Sequence, residues 1–252
     1  MRAAYLPLVL SASLLPSPAV TADTPAPGKQ VPLVFETSAG DKKTTYNYWL
    51  YLPKDYAAKG AKKWPLILFL HGMGERGNDV NKVKIHGIPK FVEKPANESF
   101  PFIAASPQCP GDTTWPREVS GLNAFLDELV AKHAVDTDRV YLTGLSMGGF
   151  GTWTWSCANP ERFAALAPIC GAGDPSRAAA IKDIPTWVFH GAKDTTVKPV
   201  KSEEMVNALK AAGGKPEFTL YPEAGHDSWS VTYDNPGLYT WFLKQTRKKA
   251  VK

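Results

Sequence analysis

Six short stretches, WPLILFLHG, FPFIAASP, DRVYLTG, FAALAPICG, IPTWVFHG and EFTLYP, are nearly continuous runs of apolar residues. A half-buried element shows a hydrophobic period, whereas a run without one is buried on both faces, the condition of strands in a mostly parallel sheet. Parallel strands need crossover connections, and helical patterns lie between the runs. From Val119 to His133, the residues Leu122, Phe125, Leu126, Leu129 and Val130 form one apolar stripe, with Asp127, Glu128 and Lys132 outside it. Met205, Val206 and Leu209 repeat the pattern between Val200 and Lys210. Strand alternating with helix predicts βαβ units and a doubly wound α/β domain. Upstream, VPLVFET and TTYNYWLYLP are two β-rich segments joined by a turn at Ser38–Asp41, predicting an antiparallel hairpin. With about eight strands to accommodate, little chain is left for a separate lid.

The chain has 252 residues, 44% hydrophobic and 21% charged, enough for one large domain with a generous core. Its formal net charge of +5 is mild, and the basic residues are scattered among acids except at Arg247-Lys248-Lys249, read as a solvated tail. No basic stripe with interleaved aromatics is present, so no nucleic-acid partner is expected. Residues 1–22 have one early Arg, an apolar centre and the ending Val20-Thr21-Ala22, the pattern of a secretory signal peptide cleaved near Ala22. Pro7, Pro16 and Pro18 argue against a buried helix, and the apolar centre is too short for a stable membrane anchor. Residues 23–30 read as a flexible lead-in and 31–252 as the folded domain. Secretion or periplasmic location is therefore expected. Three cysteines, Cys109, Cys157 and Cys170, leave at least one thiol unpaired, and neither C-x-x-C nor H-E-x-x-H occurs, so no metal site is expected.

In an open α/β sheet, chemistry gathers beyond the carboxyl ends of the strands. After WPLILFL comes His71-Gly72-Met73-Gly74; after RVYLT comes Gly144-Leu145-Ser146-Met147-Gly148; after PTWVFHG comes Ala192-Lys193-Asp194; after EFTLYP comes Glu223-Ala224-Gly225-His226-Asp227. The second has the form G-x-S-x-G, a strained strand-to-helix turn that lifts a serine hydroxyl out of the sheet. Its bland rival is a helix cap. A cap, however, does not predict an Asp and a His at later strand ends, in the order Ser, Asp, His.

With HGMGERG, GLSMGGFG, HGAKD and AGHDSW in place, the chain resembles the α/β-hydrolase superfamily over nearly its whole mature length. The motifs are most similar to those of small secreted carboxylesterases, a branch related to dienelactone hydrolases and prolyl-oligopeptidase-like peptidases. The resemblance implies an α/β-hydrolase fold: a mostly parallel eight-stranded sheet, the first pairs antiparallel, flanked by helices on both faces, without a large lid. It implies a serine hydrolase that cleaves carboxylic esters, with Ser146 as nucleophile, His226 as general base and Asp194 as the acid that orients it. It places the oxyanion hole at the backbone N–H groups of Met73 and Met147 and calls for no cofactor. A small-molecule or polysaccharide-linked ester is the expected substrate. An acetyl- or feruloyl-polysaccharide esterase and a prolyl-oligopeptidase-like peptidase are the alternatives, and a non-catalytic binding module is weakened by the intact Ser, Asp and His.

Asp174 and Asp227 are the substitute acids. His71 is expected to order the oxyanion loop and His190 to close its strand, while His86 and His133 are read as solvent-facing. Glu75 and Arg76 are read as an ion pair stiffening the loop. Trp115 and Trp229, in loops beside the expected site, are candidate pocket walls; Trp153 and Trp155 are read as core.

Overall fold

The computed structural model describes residues 25–39 and 42–247; the signal-peptide expectation for residues 1–22 lies outside them. Every apolar segment named above forms a strand. In chain order they are β1 (Gln30–Ala39), β2 (Lys42–Tyr51), β3 (Trp64–Leu70), β4 (Ile103–Pro107), β5 (Val135–Leu145), β6 (Ala165–Ile169), β7 (Trp187–Gly191) and β8 (Glu217–Tyr221). They make one sheet ordered β1-β2-β4-β3-β5-β6-β7-β8. Only β2 runs against its neighbours, antiparallel to both β1 and β4. The pairs from β4 through β8 are parallel.

Helices α1 (Gly87–Phe91), α2 (Val119–Lys132), α3 (Met147–Ala158), α4 (Val200–Ala211), α5 (Trp229–Tyr233) and α6 (Pro236–Leu243) flank this sheet. Successive strand residues face opposite sides, and β3 shows the consequence. Leu66, Leu68 and Leu70 enter a core with Leu122, Phe125, Leu126 and Leu129 of α2, Trp153 and Trp155 of α3, and Met205, Val206 and Leu209 of α4. Ile67 and Phe69 enter a second core with Ile88 of α1 and Leu238, Tyr239 and Phe242 of α6. All seven β3 residues are buried, which explains why WPLILFL carries no period. Burying a side chain such as Leu122 or Phe125 contributes about 1.5–3 kcal/mol, so the apolar stripe of α2 dominates its docking.

The segment between β3 and β4 is folded onto the sheet. Val83, Ile88 and Val92 are in the second core, Trp49 donates its indole N–H to the Val80 carbonyl at 2.8 Å, and Gln30 donates to the Pro89 carbonyl at 2.8 Å. Arg247 departs from the solvated-tail expectation: its guanidinium donates to the Glu161 carbonyl at 2.6 Å and to Asp138 Oδ1 at 3.0 Å. Sequence position alone hid the partners, which lie more than eighty residues upstream. All three cysteines are free and buried.

Candidate active site

Parallel strands end on one edge of the sheet, and β5, β7 and β8 deliver Ser146, Asp194 and His226 there. Between β5 and α3 the chain turns at Ser146 with φ 51° and ψ −116°, left-handed backbone that a residue with a Cβ adopts only under strain of about 1–3 kcal/mol. Hydrogen bonds hold it: Ser146 N–H donates to the Ile169 carbonyl at 3.0 Å and Phe150 N–H to the Ser146 carbonyl at 3.0 Å. The flanking glycines are required by close approach. A Cβ on Gly148 would lie 1.8 Å from the Leu70 carbonyl oxygen, and one on Gly144 would lie 2.4 Å from the Gly148 carbonyl oxygen. Ser146 does not cap α3 with its side chain. Its hydroxyl meets His226 Nε2 instead, at 2.9 Å.

His226 Nδ1 lies 2.7 Å from Asp194 Oδ2, the N–H facing the carboxylate. Asp194, with its side chain fully buried, is held from its other oxygen by the amides of Thr196 at 2.8 Å and Val197 at 3.0 Å. Burial alone would raise its pKa; the hydrogen bond from His226, helped by the Val197 and Thr196 amides, outweighs that and holds the carboxyl below its ordinary value. Asp174, the substitute acid, is exposed and bonds only locally to Ser176. Asp227 caps the next helix through Ser230. Neither meets His226.

His190 has a second role beyond closing β7. Its Nε2 faces two acceptors, the Val197 carbonyl at 2.8 Å and Asp194 Oδ2 at 3.2 Å, so that nitrogen carries the proton and steadies the acid from behind. The spacing of His190 and Asp194 in HGAKD was the only sequence signal for it. Cys170 also lies here, with φ 41°, and its sulfur falls within 4.8 Å of the Asp194 and His226 ligand atoms. Burial pushes its thiol up to about 12, so it remains a neutral thiol. A neutral thiol beside a carboxylate already bonded to His226 is a poor donor set for a metal ion.

The loop after β3 faces the elbow. Met73 begins the 3₁₀ turn Met73–Glu75 and Met147 begins α3, so both amides lack an intrahelical acceptor and are free to donate to an anion. His71 is fully buried beneath the loop. Its Nδ1 donates to the Gly72 carbonyl at 2.6 Å and its Nε2 accepts the Cys109 N–H at 2.9 Å, an arrangement open only to the neutral ring. Burial lowers its pKa to about 4 in agreement with this, partly opposed by the Gly72 bond.

Three other expectations need correction. Glu75 does not pair with Arg76: Arg76 donates to the Met73 carbonyl at 3.2 Å and the Thr113 carbonyl at 2.9 Å, while the buried Glu75 lies 3.8 Å from His71 and 4.0 Å from His86. Glu75 ends the 3₁₀ turn while Arg76 is in extended backbone (φ −63°, ψ 158°), so the adjacent side chains point differently. Trp115 is fully buried and cannot wall a pocket; its indole N–H donates to the His71 carbonyl at 2.9 Å, making it a prop under the loop. His86 and His133 are half-buried, and His86 packs edge-on against Trp229 with ring centres 5.4 Å apart. Trp229 does lie beside the site, edge-on to His226 at 5.3 Å. Trp153 and Trp155 are core residues.

Residues 111–235 match the family model described as Dienelactone hydrolase family. A bifunctional acetylxylan esterase/xylanase of Neocallimastix patriciarum is 25% identical over 199 residues, which are 76% of this chain and 27% of that protein. A Salmonella typhimurium protein named as a carboxymethylenebutenolidase is 30% identical over 118 residues, 43% of each protein. The chain thus spans less than half the length of these curated relatives. A crystal structure described as a thermostable esterase has a TM-score of 0.77 and 33% identity, covering 86% of this chain and 63% of the other. The eight-stranded sheet, its strand order and these likenesses together give the chain an α/β-hydrolase fold in which residues 111–235 match the dienelactone hydrolase family.

Proposed function

We propose that the protein hydrolyses carboxylic esters through an acyl-Ser146 intermediate. The observation that carries this reading is the unbroken chain Ser146 Oγ, His226 Nε2, His226 Nδ1, Asp194 Oδ2, with contacts of 2.9 and 2.7 Å. A neutral hydroxyl attacks poorly, so His226 Nε2 takes the Ser146 proton as Oγ bonds to the ester carbonyl carbon. Asp194 keeps the proton of His226 on Nδ1 and stabilises the imidazolium. The carbonyl oxygen becomes an oxyanion between the Met73 and Met147 amides, where one donor is worth about 2.7–4 kcal/mol. Collapse breaks the bond to the alcohol, which leaves with the proton from His226. Water, deprotonated by the same ring, then attacks the acyl-serine and releases the acid. Side chains, amides and water supply every step, and no cofactor is invoked.

The relatives named as esterases support the ester reading, and the absence of a large lid among the described residues suits a short-chain or accessible ester. Ser146→Ala is expected to lower kcat on p-nitrophenyl acetate by on the order of 10⁶-fold. Undiminished turnover would sink the reading, and Ser146-dependent cleavage of a prolyl peptide without ester cleavage would replace it with a peptidase.

Residues 1–22 are proposed to direct export, with cleavage near Ala22. Among the described residues no helix is long and apolar enough to cross a membrane. Mass spectrometry of the exported protein should find Asp23 at its N-terminus; an intact Met1 would contradict it.

A further inference from the structure

A cavity of about 540 Å³ opens where β2 runs on past the end of β4. Its wall carries three side-chain amides, Asn47, Asn78 and Gln108, together with the hydroxyl groups of Thr44, Thr45 and Thr113. Gln108 is 1% exposed, and its Nε2 is committed to the Glu75 and Asp79 carbonyls at 2.8 Å each. Two carbonyl partners settle which end of the amide is nitrogen, and Oε1 is left buried without a hydrogen-bond partner. Gln108 thereby ties this wall to the loop after β3, and the polar groups left to meet a ligand are the amides of Asn47 and Asn78 and the hydroxyls of Thr44 and Thr45.

The cavity shares a wall with the loop after β3. Gly77 and Asn78 follow directly on the loop that carries Met73, and Arg76 fastens that loop to Thr113 of the opposite wall at 2.9 Å. Gln108 follows β4 and Ser146 follows β5, with β3 between them. Two interstrand spacings put the Gln108 wall about 10 Å from the nucleophile, on the side away from Asp194 and His226.

Its chemistry narrows the occupant. Among the described residues Pro110 is the sole apolar side chain of the wall, so an alkyl or aryl group would desolvate amides and hydroxyls without return. Lys43 is paired with Glu36 at 3.0 Å, and the two carboxylates of the wall, Asp112 and Glu118, disfavour an anion. Glu118 is already occupied by the Tyr46 hydroxyl at 2.8 Å and the Thr113 hydroxyl at 3.0 Å. What fits is a neutral ligand that offers donors and acceptors at several points. We infer that this cavity is a subsite for the carbohydrate alcohol portion of the ester, so that Ser146 deacylates a glycosyl ester whose sugar chain reaches past Met73 into the cavity. The inference rests on the acyl-Ser146 reading for its chemistry but not for its binding.

Binding is therefore measured apart from catalysis. Unesterified xylotriose titrated calorimetrically into the Ser146→Ala protein should bind, and should bind at least ten-fold more weakly when Asn47→Leu or the surface change Asp112→Leu is added. With Ser146 intact, the ratio of kcat/KM for acetylated xylotriose to that for p-nitrophenyl acetate should fall at least ten-fold in the same substitutions. Absence of binding, or binding and a ratio that neither substitution moves, overturns the subsite. Loss of the acyl-serine reading would show instead as p-nitrophenyl acetate turnover by Ser146→Ala, while the calorimetric result stands on its own.

Discussion

The two sides of the catalytic edge are held by different means. On one side, Ser146, Asp194 and His226 follow three strands and reach one another directly, each within a few residues of a strand end. On the other, the Met73 loop owes its shape to groups brought from afar: the Cys109 amide on His71 Nε2, the Trp115 indole on the His71 carbonyl and the Gln108 amide on the Glu75 carbonyl. The first is a short chain of strong contacts, and the second is a buried network assembled from segments distant in sequence. A local motif therefore suffices to set the first, whereas the second depends on the packing of the whole β3–β4–α2 region.

This contrast can be broken at its strong end first. Asp194→Asn should cost about 10⁴-fold in kcat on p-nitrophenyl acetate, because an amide supports the wrong His226 tautomer. Asp174→Asn should stay within a few-fold; equal losses would mean the acid is misplaced.

On the loop side, His71→Asn should lower kcat about 10²-fold with little change in KM, since an oxyanion donor acts in the transition state. A loss confined to KM would show that His71 does not act through the Met73 amide. The pH dependence of stability sharpens the point. The folded pKa of His71, about 4, lies below its ordinary 6.5, so the neutral ring's contribution is complete above about pH 6.5 and is lost as pH falls through about 4. At about 1.4 kcal/mol per pKa unit this is about 3 kcal/mol, and denaturant titrations of wild type and His71→Asn should differ by that much less at pH 4 than at pH 7. Identical pH profiles for the two proteins would remove His71 from this role. The smallest effect belongs to Trp115→Phe, which trims the buried ring and deletes the bond to the His71 carbonyl, at about 1–3 kcal/mol of stability by denaturant titration.

Much of this molecule was legible in the linear chain. WPLILFL and four of its companions announced a sheet covered on both faces because parallel strands cannot leave one face to water, whereas EFTLYP forms the edge strand β8, whose residues are half-buried or exposed. The stripe of Leu122, Phe125, Leu126 and Leu129 announced α2 for a similar reason. Ser146, Asp194 and His226 were legible because a strand end is a place the sequence marks twice, by the close of an apolar run and by the small residues of the turn after it.

Other features were out of reach. The burial of Trp115, the separation of Glu75 from Arg76 and the tie from Arg247 to Asp138 depend on which surfaces meet, and no spacing encodes that. The sequence by itself determined the strands, the helical faces and the residue types at the catalytic edge, since these follow from periodicity and local backbone demands. The tertiary structure alone decided what lies beneath and beside that edge, a buried neutral His71 under the Met73 loop and an amide-lined cavity past β4. Partners distant in sequence are chosen by packing and by the need to satisfy buried polar groups, and both are properties of the assembled fold.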